Sequence, residues 1–409
     1  MKKQDYWFDL PEQLIAQTPI EKREQSRLLR LDKNSGETSH NHFYQLPELL
    51  REGDCLVMND SRVLPARLLG KRDTGGAVEL VLLRDMGDGV WECLSRPGRS
   101  TRPGAKLVFG GKEQASELGI TSEAFEHEKA DESGVNGELR VYGETVVPEQ
   151  SDKREQAAVH KQSTEAELTA EVLDVVAGGN RLVKFHYDGI FLEVLERLGR
   201  MPLPPYIKEE LEDAERYQTV YSKVNGSAAA PTAGLHFTYE LLEQLKNEGV
   251  ELCYITLHVG LGTFRPVREE NILDHELHSE YYEITPEAAA QINKTKAAGG
   301  RVIAVGTTSC RTLEAAAALA KSTNKKNACD DASAYYPISP HSASTDIFIY
   351  PGYDFKCIDG LITNFHLPES SLIMLVSALA GRENVLKAYK EAITQEYRFY
   401  SFGDAMLIL

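Results

Sequence analysis

At 409 residues, 42% hydrophobic and 26% charged, the chain has ordinary globular composition and enough length for a large core plus a second domain. A formal net charge of −17 disfavours a module that only holds nucleic acid, because phosphate contacts need lysine and arginine. The excess is local: residues 112–171 carry 15 acidic and 6 basic side chains, a balance of −9 that leaves −8 for the rest. Arg62, Arg67, Lys71, Arg72, Arg96, Arg99 and Arg102 therefore remain candidates for a basic patch.

The N-terminus turns acidic and aromatic within seven residues, where an export signal needs an uninterrupted apolar stretch. Residues 371–380 form the longest apolar run, about half of the roughly 20 residues that span a bilayer, and read as a buried helix. The expectation is a cytoplasmic protein with no membrane partner. Six widely spaced cysteines, Cys55, Cys93, Cys253, Cys310, Cys329 and Cys357, read as reduced and buried; Cys310 alone lies where a helix N-terminus can stabilise a thiolate.

In chain order, residues 1–65 carry turn and short-strand signals and end in an apolar run, 55–58, followed by the polar tetrad Asn59-Asp60-Ser61-Arg62. Residues 66–188 change to short alternating strands at 77–83, 90–94, 106–109 and 182–185, a pattern that predicts a small antiparallel barrel interrupted by the acidic stretch 112–171. After residue 188 the period becomes helical, with Phe191, Leu192, Val194, Leu195 and Leu198 on one face and Gly199 as the stop.

A stiff proline segment at 202–207 follows, and strands then alternate with helices. Thr238 can cap a helix that ends before Gly249, and Thr285-Pro286 opens another that closes at Gly299-Gly300. Strands are predicted at 252–257, 302–305, 346–350 and 358–363. The fold class expected is α/β, with a mostly parallel sheet built from residues 1–65 and 189–409 and the barrel, 66–188, inserted into it.

In such folds ligands bind beyond the carboxyl ends of the strands, and four polar clusters fall at strand ends. The first contains Thr232, Gly234 and His236; the second His258, Gly260 and Gly262; the third Thr307, Thr308 and Ser309 with Arg311; the fourth Asn364 and His366. Gly306-Thr307-Thr308-Ser309 is a strand-to-helix turn whose free amides suit an anion. His275, His278 and Glu280 are a near miss to a zinc-protease motif and suit acid–base work or polar recognition better than a metal. No metal site is expected.

The ordered motifs narrow this further. They are Asn59-Asp60-Ser61-Arg62-Val63-Leu64-Pro65-Ala66-Arg67, Met201-Pro202-Leu203-Pro204-Pro205-Tyr206-Ile207, Ala229-Ala230-Pro231-Thr232-Ala233-Gly234-Leu235-His236-Phe237, Leu257-His258-Val259-Gly260, His278-Ser279-Glu280-Tyr281, Val305-Gly306-Thr307-Thr308-Ser309 and Asn364-Phe365-His366-Leu367-Pro368. Through them almost the whole chain resembles the S-adenosylmethionine:tRNA ribosyltransferase-isomerase family of the queuosine pathway; the stretch 112–171 is longer than that family's pattern.

The resemblance implies transfer of the ribosyl part of S-adenosylmethionine to a 7-aminomethyl-7-deazaguanine at the tRNA wobble position, releasing adenine and methionine and leaving epoxyqueuosine. S-adenosylmethionine is then a co-substrate with no resident cofactor, tRNA the partner and a monomer the expected state. The chemistry needs a base at C5′ beside the sulfonium and an acid for adenine. The pool is His236, His258, His275, His278, Glu280 and His366, and spacing assigns no individual roles. Thr307, Thr308, Ser309 and Arg311 would seat the methionine carboxylate, Asp60 with Arg62 would read the deazaguanine edge, and Tyr206, Tyr217 and Tyr221 are candidates for stacking. A non-catalytic nucleic-acid module and a hydrolase using a metal on His275 and His278 are the rival readings.

Overall fold

The computed structural model describes residues 1–110, 168–176, 179–209, 211–260, 267, 269–324 and 337–409. The acidic stretch up to residue 167, Gly262 and Cys329 lie outside the described residues.

Nine strands among the described residues form one mixed sheet: β1 (Arg27–Leu31), β2 (Thr38–His42), β3 (Cys55–Asn59), β12 (Glu251–Leu257), β13 (Glu280–Ile284), β14 (Val302–Val305), β15 (His341–Thr345), β16 (Gly360–Asn364) and β17 (Ala405–Ile408). Their order is β15-β13-β12-β3-β14-β16-β17-β1-β2. The central run β12-β3-β14-β16 is parallel, and the antiparallel joints lie outside it. Every residue of β3, β14 and β16 is buried, as expected for strands covered on both faces.

Alternation sorts the side chains into two layers. Cys55, Val57, Val302, Ala304 and Leu361 join one core cluster; Leu56, Met58, Ile303, Val305 and Ile362 join the other. Helices cover both faces: α1 (Leu46–Leu49), α3 (Tyr239–Asn247), α4 (Pro286–Ala297), α5 (Thr307–Asn324), α6 (Ser371–Ala380) and α7 (Arg382–Thr394). Their starts are chemically marked. Thr238 Oγ1 accepts from the Leu241 amide at 3.2 Å, Thr285 Oγ1 from Ala288 at 3.2 Å, and Ser370 Oγ from Ile373 at 3.3 Å. The apolar run 371–380 is α6, largely buried; no helix among the described residues is long and apolar enough to cross a membrane.

The strands β5 (Arg67–Arg72), β6 (Ala77–Gly87), β7 (Val90–Arg96), β8 (Lys106–Phe109), β9 (Leu168–Val175) and β10 (Arg181–His186) close an antiparallel barrel in the order β10-β7-β6-β5-β8-β9. Leu68, Leu80, Leu107, Phe109, Val172 and Val183 fill it. Gly70 is required there, because a Cβ would lie 2.4 Å from Phe109 Cδ1 and 2.5 Å from the Val108 carbonyl oxygen. The barrel hangs from β4 (Ser61–Val63), which pairs in parallel with β11 (Val224–Ser227). Its two connections meet: Arg67 N–H donates to the Arg200 carbonyl at 3.1 Å and Arg200 N–H to that of Arg67 at 2.8 Å.

Two details differ from the sequence reading. Helix α2 (Phe191–Leu198), expected to belong with the sheet, packs on the barrel, where Val194 and Leu195 are buried and Phe191 meets the rings of Phe185 and Trp91. Residues 346–350 are not a strand. The edge strand is His341–Thr345, after which the Ile347 amide turns back to Thr345 Oγ1 at 3.2 Å and the Ile347 carbonyl accepts from Arg311 Nε at 3.2 Å.

Candidate active site

Because β3, β12, β14 and β16 are parallel, their carboxyl ends share one edge of the sheet, and the turns that follow bring Asp60, His258, Gly306-Thr307-Thr308 and Asn364-Phe365-His366 to it. Two adjoining compartments open there and share Leu372. The larger, enclosing about 670 Å³, is lined by Tyr206, Thr232, Thr307, Thr308, Asn364 and His366 among others; the smaller, about 480 Å³, by Gly260, His278, Glu280, Arg311, Phe348 and Leu375 among others.

In the larger compartment the turn from β14 into α5 is made by Gly306 at φ +90°, a left-handed conformation that favours glycine. It delivers the first turn of α5, whose amides lack helical acceptors. Thr308 Oγ1 and Ser309 Oγ are buried there without hydrogen-bond partners among the described residues, and Thr307 and Thr308 line the cleft. Asn364 is fixed on three sides. Its Oδ1 accepts from Thr232 Oγ1 (3.0 Å), and its Nδ2 donates to the Tyr400 carbonyl (3.2 Å) and to His236 Nε2 (3.2 Å).

The last bond makes Nε2 of His236 an acceptor, so its proton sits on Nδ1 and donates to Ser26 Oγ (2.7 Å), which itself donates to the Arg23 carbonyl (3.1 Å). Burial, reinforced by the positive charges of Arg23 and Arg398, holds His236 down to about 3. Its ring stacks on Phe43 at 4.9 Å. His236 thus positions Asn364 from behind the cleft.

His366 is different. Its backbone amide donates to Tyr389 Oη (3.0 Å) and Nε2 shares a 2.8 Å hydrogen bond with Thr363 Oγ1, leaving Nδ1 without a protein partner among the described residues, on a ring that lines the cleft. Burial pushes its pKa down to about 3, so the ring is neutral near pH 7.

In the smaller compartment Glu280 and Arg311, each 5% exposed, form an ion pair through Oε2 and Nη1; Glu280 Oε1 also accepts from the Gly260 amide at 3.0 Å. Arg311 Nη2 is buried without a hydrogen-bond partner among the described residues. His278 is exposed at the rim, whereas His275 turns away, its Nδ1 2.6 Å from Glu269 Oε2 and its ring edge-on to Phe348.

Of the remaining candidates, all but Tyr206 lie outside both compartments. His258 stacks on Tyr281 (5.9 Å between ring centres) above Gly226, with Nδ1 buried and unpartnered among the described residues, and burial lowers its pKa against the pull of Asp60 and Glu283. Asp60 accepts from Thr256 Oγ1 at 2.7 Å, and burial raises its pKa. Arg62 pairs with Glu215 and lies 3.2 Å from Ser222 Oγ. Gly234 is a packing glycine: a Cβ there would lie 2.1 Å from Tyr221 Oη. Tyr217 and Tyr221 are buried in the core. Tyr206 does reach the cleft, with its hydroxyl 2.7 Å from Ser401 Oγ and its ring 4.7 Å from that of Tyr400. Cys310 is buried and its thiol pushed up by burial, with Glu314 adding to the effect, so no thiolate forms at that helix start.

Tyr400, Ser401, Ser370 and Leu372 also line the larger compartment, and sequence reasoning did not single them out. Tyr400 adopts φ +71°, and no composition or periodicity signal marks such a residue.

Helix start, neutral imidazole and buried ion pair on one sheet edge define an α/β enzyme with a β-barrel inserted in its sheet. Residues 3–408 match the family described as queuosine biosynthesis protein. The chain is 51% identical over 409 residues to the S-adenosylmethionine:tRNA ribosyltransferase-isomerase of Acetivibrio thermocellus and 51% identical over 410 residues to that of Caldanaerobacter subterraneus subsp. tengcongensis, with 100% of each chain covered in both cases. A crystal structure of S-adenosylmethionine tRNA ribosyltransferase from Thermotoga maritima aligns over 99% of this chain and 100% of that one, at 31% identity and a TM-score of 0.47. The protein belongs to the queuosine biosynthesis family and is an enzyme of it.

Proposed function

We propose that the protein transfers and isomerises the ribosyl moiety of S-adenosylmethionine onto 7-aminomethyl-7-deazaguanine at the wobble position of tRNA, giving epoxyqueuosine-tRNA, adenine and methionine. One observation carries the reading: the strand-end clusters form a two-compartment cleft that pairs a neutral imidazole with a buried arginine. The full-length relatives with that name support it.

The sulfonium acidifies the C5′ protons, and a neutral acceptor beside them starts the sequence. His366 is the candidate for that proton transfer, because its ring lines the cleft and is held there by Thr363 Oγ1. Thr232 and Asn364, locked by His236 from behind, offer positioned polar groups to the ribosyl part. Tyr206 and Tyr400 offer faces on which a flat base can lie.

The test is incubation of the protein with S-adenosylmethionine and tRNA bearing the aminomethyl-deazaguanine, following adenine by mass spectrometry. Adenine and methionine released in step with modified tRNA is the expected outcome; tRNA left unmodified by folded protein would overturn the reading.

A further inference from the structure

We infer that Tyr400 touches the substrate in the larger compartment, its hydroxyl donating a hydrogen bond to an oxygen of the ribosyl group. This rests on the reading that S-adenosylmethionine is the ribosyl donor.

Tyr400 adopts φ +71°, a left-handed conformation that bulky residues rarely take and that persists only where the surroundings over-determine it. Here they do. The Tyr400 amide donates to the Phe365 carbonyl at 3.1 Å, and the Tyr400 carbonyl accepts from Asn364 Nδ2 at 3.2 Å and from the Gly403 amide at 2.9 Å. Two of these three bonds lead to the turn that carries His366, and both residues line the same compartment. The strained backbone therefore fixes the tyrosine relative to the imidazole.

The side chain is 5% exposed, with its ring 4.7 Å from that of Tyr206 and 6.5 Å, edge-on, from that of Phe399. Packing accounts for the ring but not for the hydroxyl, which makes no hydrogen bond among the described residues. A phenylalanine would fill the same space, and a hydroxyl withdrawn from water without a partner is unfavourable. The neighbouring hydroxyls are engaged: that of Tyr206 lies 2.7 Å from Ser401 Oγ, and that of Tyr389 accepts from the His366 amide at 3.0 Å.

Burial pushes the pKa of the Tyr400 hydroxyl up, with Tyr206 adding to the effect, so it stays protonated and can donate. The groups beside it need such a donor. Thr232 gives its proton to Asn364 Oδ1, and both Nδ2 protons of Asn364 go to the Tyr400 carbonyl and to His236, so toward a sugar oxygen these two can only accept. A base lying on the ring leaves the hydroxyl at the ring edge, beyond the base, where the attached sugar continues.

The test is Tyr400→Phe in the adenine-release assay with tRNA, which removes one oxygen and keeps the ring, its packing and its backbone. The expected result is a fall in kcat/KM for S-adenosylmethionine of about 5- to 100-fold, the worth of a hydrogen bond whose loss strands a polar partner, with the KM for tRNA and the urea midpoint unchanged. A tyrosine that only packs predicts a fully active variant. A kcat/KM within about twofold of the unaltered protein therefore overturns the inference and leaves the proposed function standing. A lowered urea midpoint together with weaker use of both substrates overturns it as well, by making the hydroxyl a structural contact. No adenine from the unaltered protein would instead remove the proposed function, and this inference with it.

Discussion

His236 makes the protein acid-labile in a calculable way. Its folded-state pKa is depressed to about 3 from an ordinary value of 6.5, mainly by burial. The unfolded chain therefore binds a proton that the folded chain refuses, and stability rises with pH between those values. The contribution is fully present above about pH 6.5 and is lost, at about 1.4 kcal/mol per pH unit, as pH falls toward 3. At pH 5 the loss reaches about 2 kcal/mol from this one ring, a sizeable part of a typical domain's stability.

His236→Gln removes the titration. Urea unfolding of both proteins between pH 4 and 8 should show the variant less stable near neutrality, through lost stacking on Phe43 and a disturbed Ser26 contact, but with a shallower slope below pH 6. Parallel slopes for the two proteins would mean that the ring is not held neutral and that the Ser26–His236–Asn364 chain is misassigned.

Other substitutions separate chemistry from packing. His366→Ala should lower kcat in the adenine-release assay by about 10²- to 10⁴-fold, the usual worth of a positioned proton-transfer group, with the melting temperature shifting little by comparison. Gly234→Ala should instead destabilise the fold by about 1–3 kcal/mol in urea, since its Cβ would meet Tyr221 Oη at 2.1 Å and Thr219 Cγ2 at 2.7 Å; an unchanged midpoint with a raised KM would restore it to the ligand site. Arg301→Met takes one of two arginines from Asp54, which is fully buried beneath the start of β3 and keeps the Arg51 amide and guanidinium, and should cost about 1–3 kcal/mol by the same measurement.

Helix starts were plain in the sequence because their chemistry is local: Thr238 and Thr285 cap the helices they were expected to cap. The central strands were legible for a similar reason, as apolar runs between turn signals. Residues 346–350 misled because Ile347, Phe348, Ile349 and Tyr350 look like a strand but line or pack beside a cleft, and only tertiary contact tells the two apart. Among the site residues, strand-end position picked out Thr232, Gly260, Thr307, Thr308, Asn364 and His366, which line the compartments, and His258, which lies outside both. It could not distinguish a histidine facing into the cleft, His366, from one bracing it from behind, His236, since both follow strand or turn signals and both are neutral. Gly234 read as backbone access for the same reason, when what it accommodates is the hydroxyl of Tyr221.

The rung that joins Arg67 to Arg200 sets how the barrel relates to the rest of the chain. Departure and return are one ladder step apart, and Gly199 has no side chain because the Pro65 carbonyl already occupies that space, with a Cβ there falling 1.9 Å from the oxygen. Seen from the sheet, everything between these points is a loop whose ends are already closed. Its length and content can drift without disturbing the register of β3, β12 or β14, because closure entropy grows only slowly with loop length. For the sheet, the barrel counts at this point as one closed step between residues 65 and 200, whatever lies on its far side.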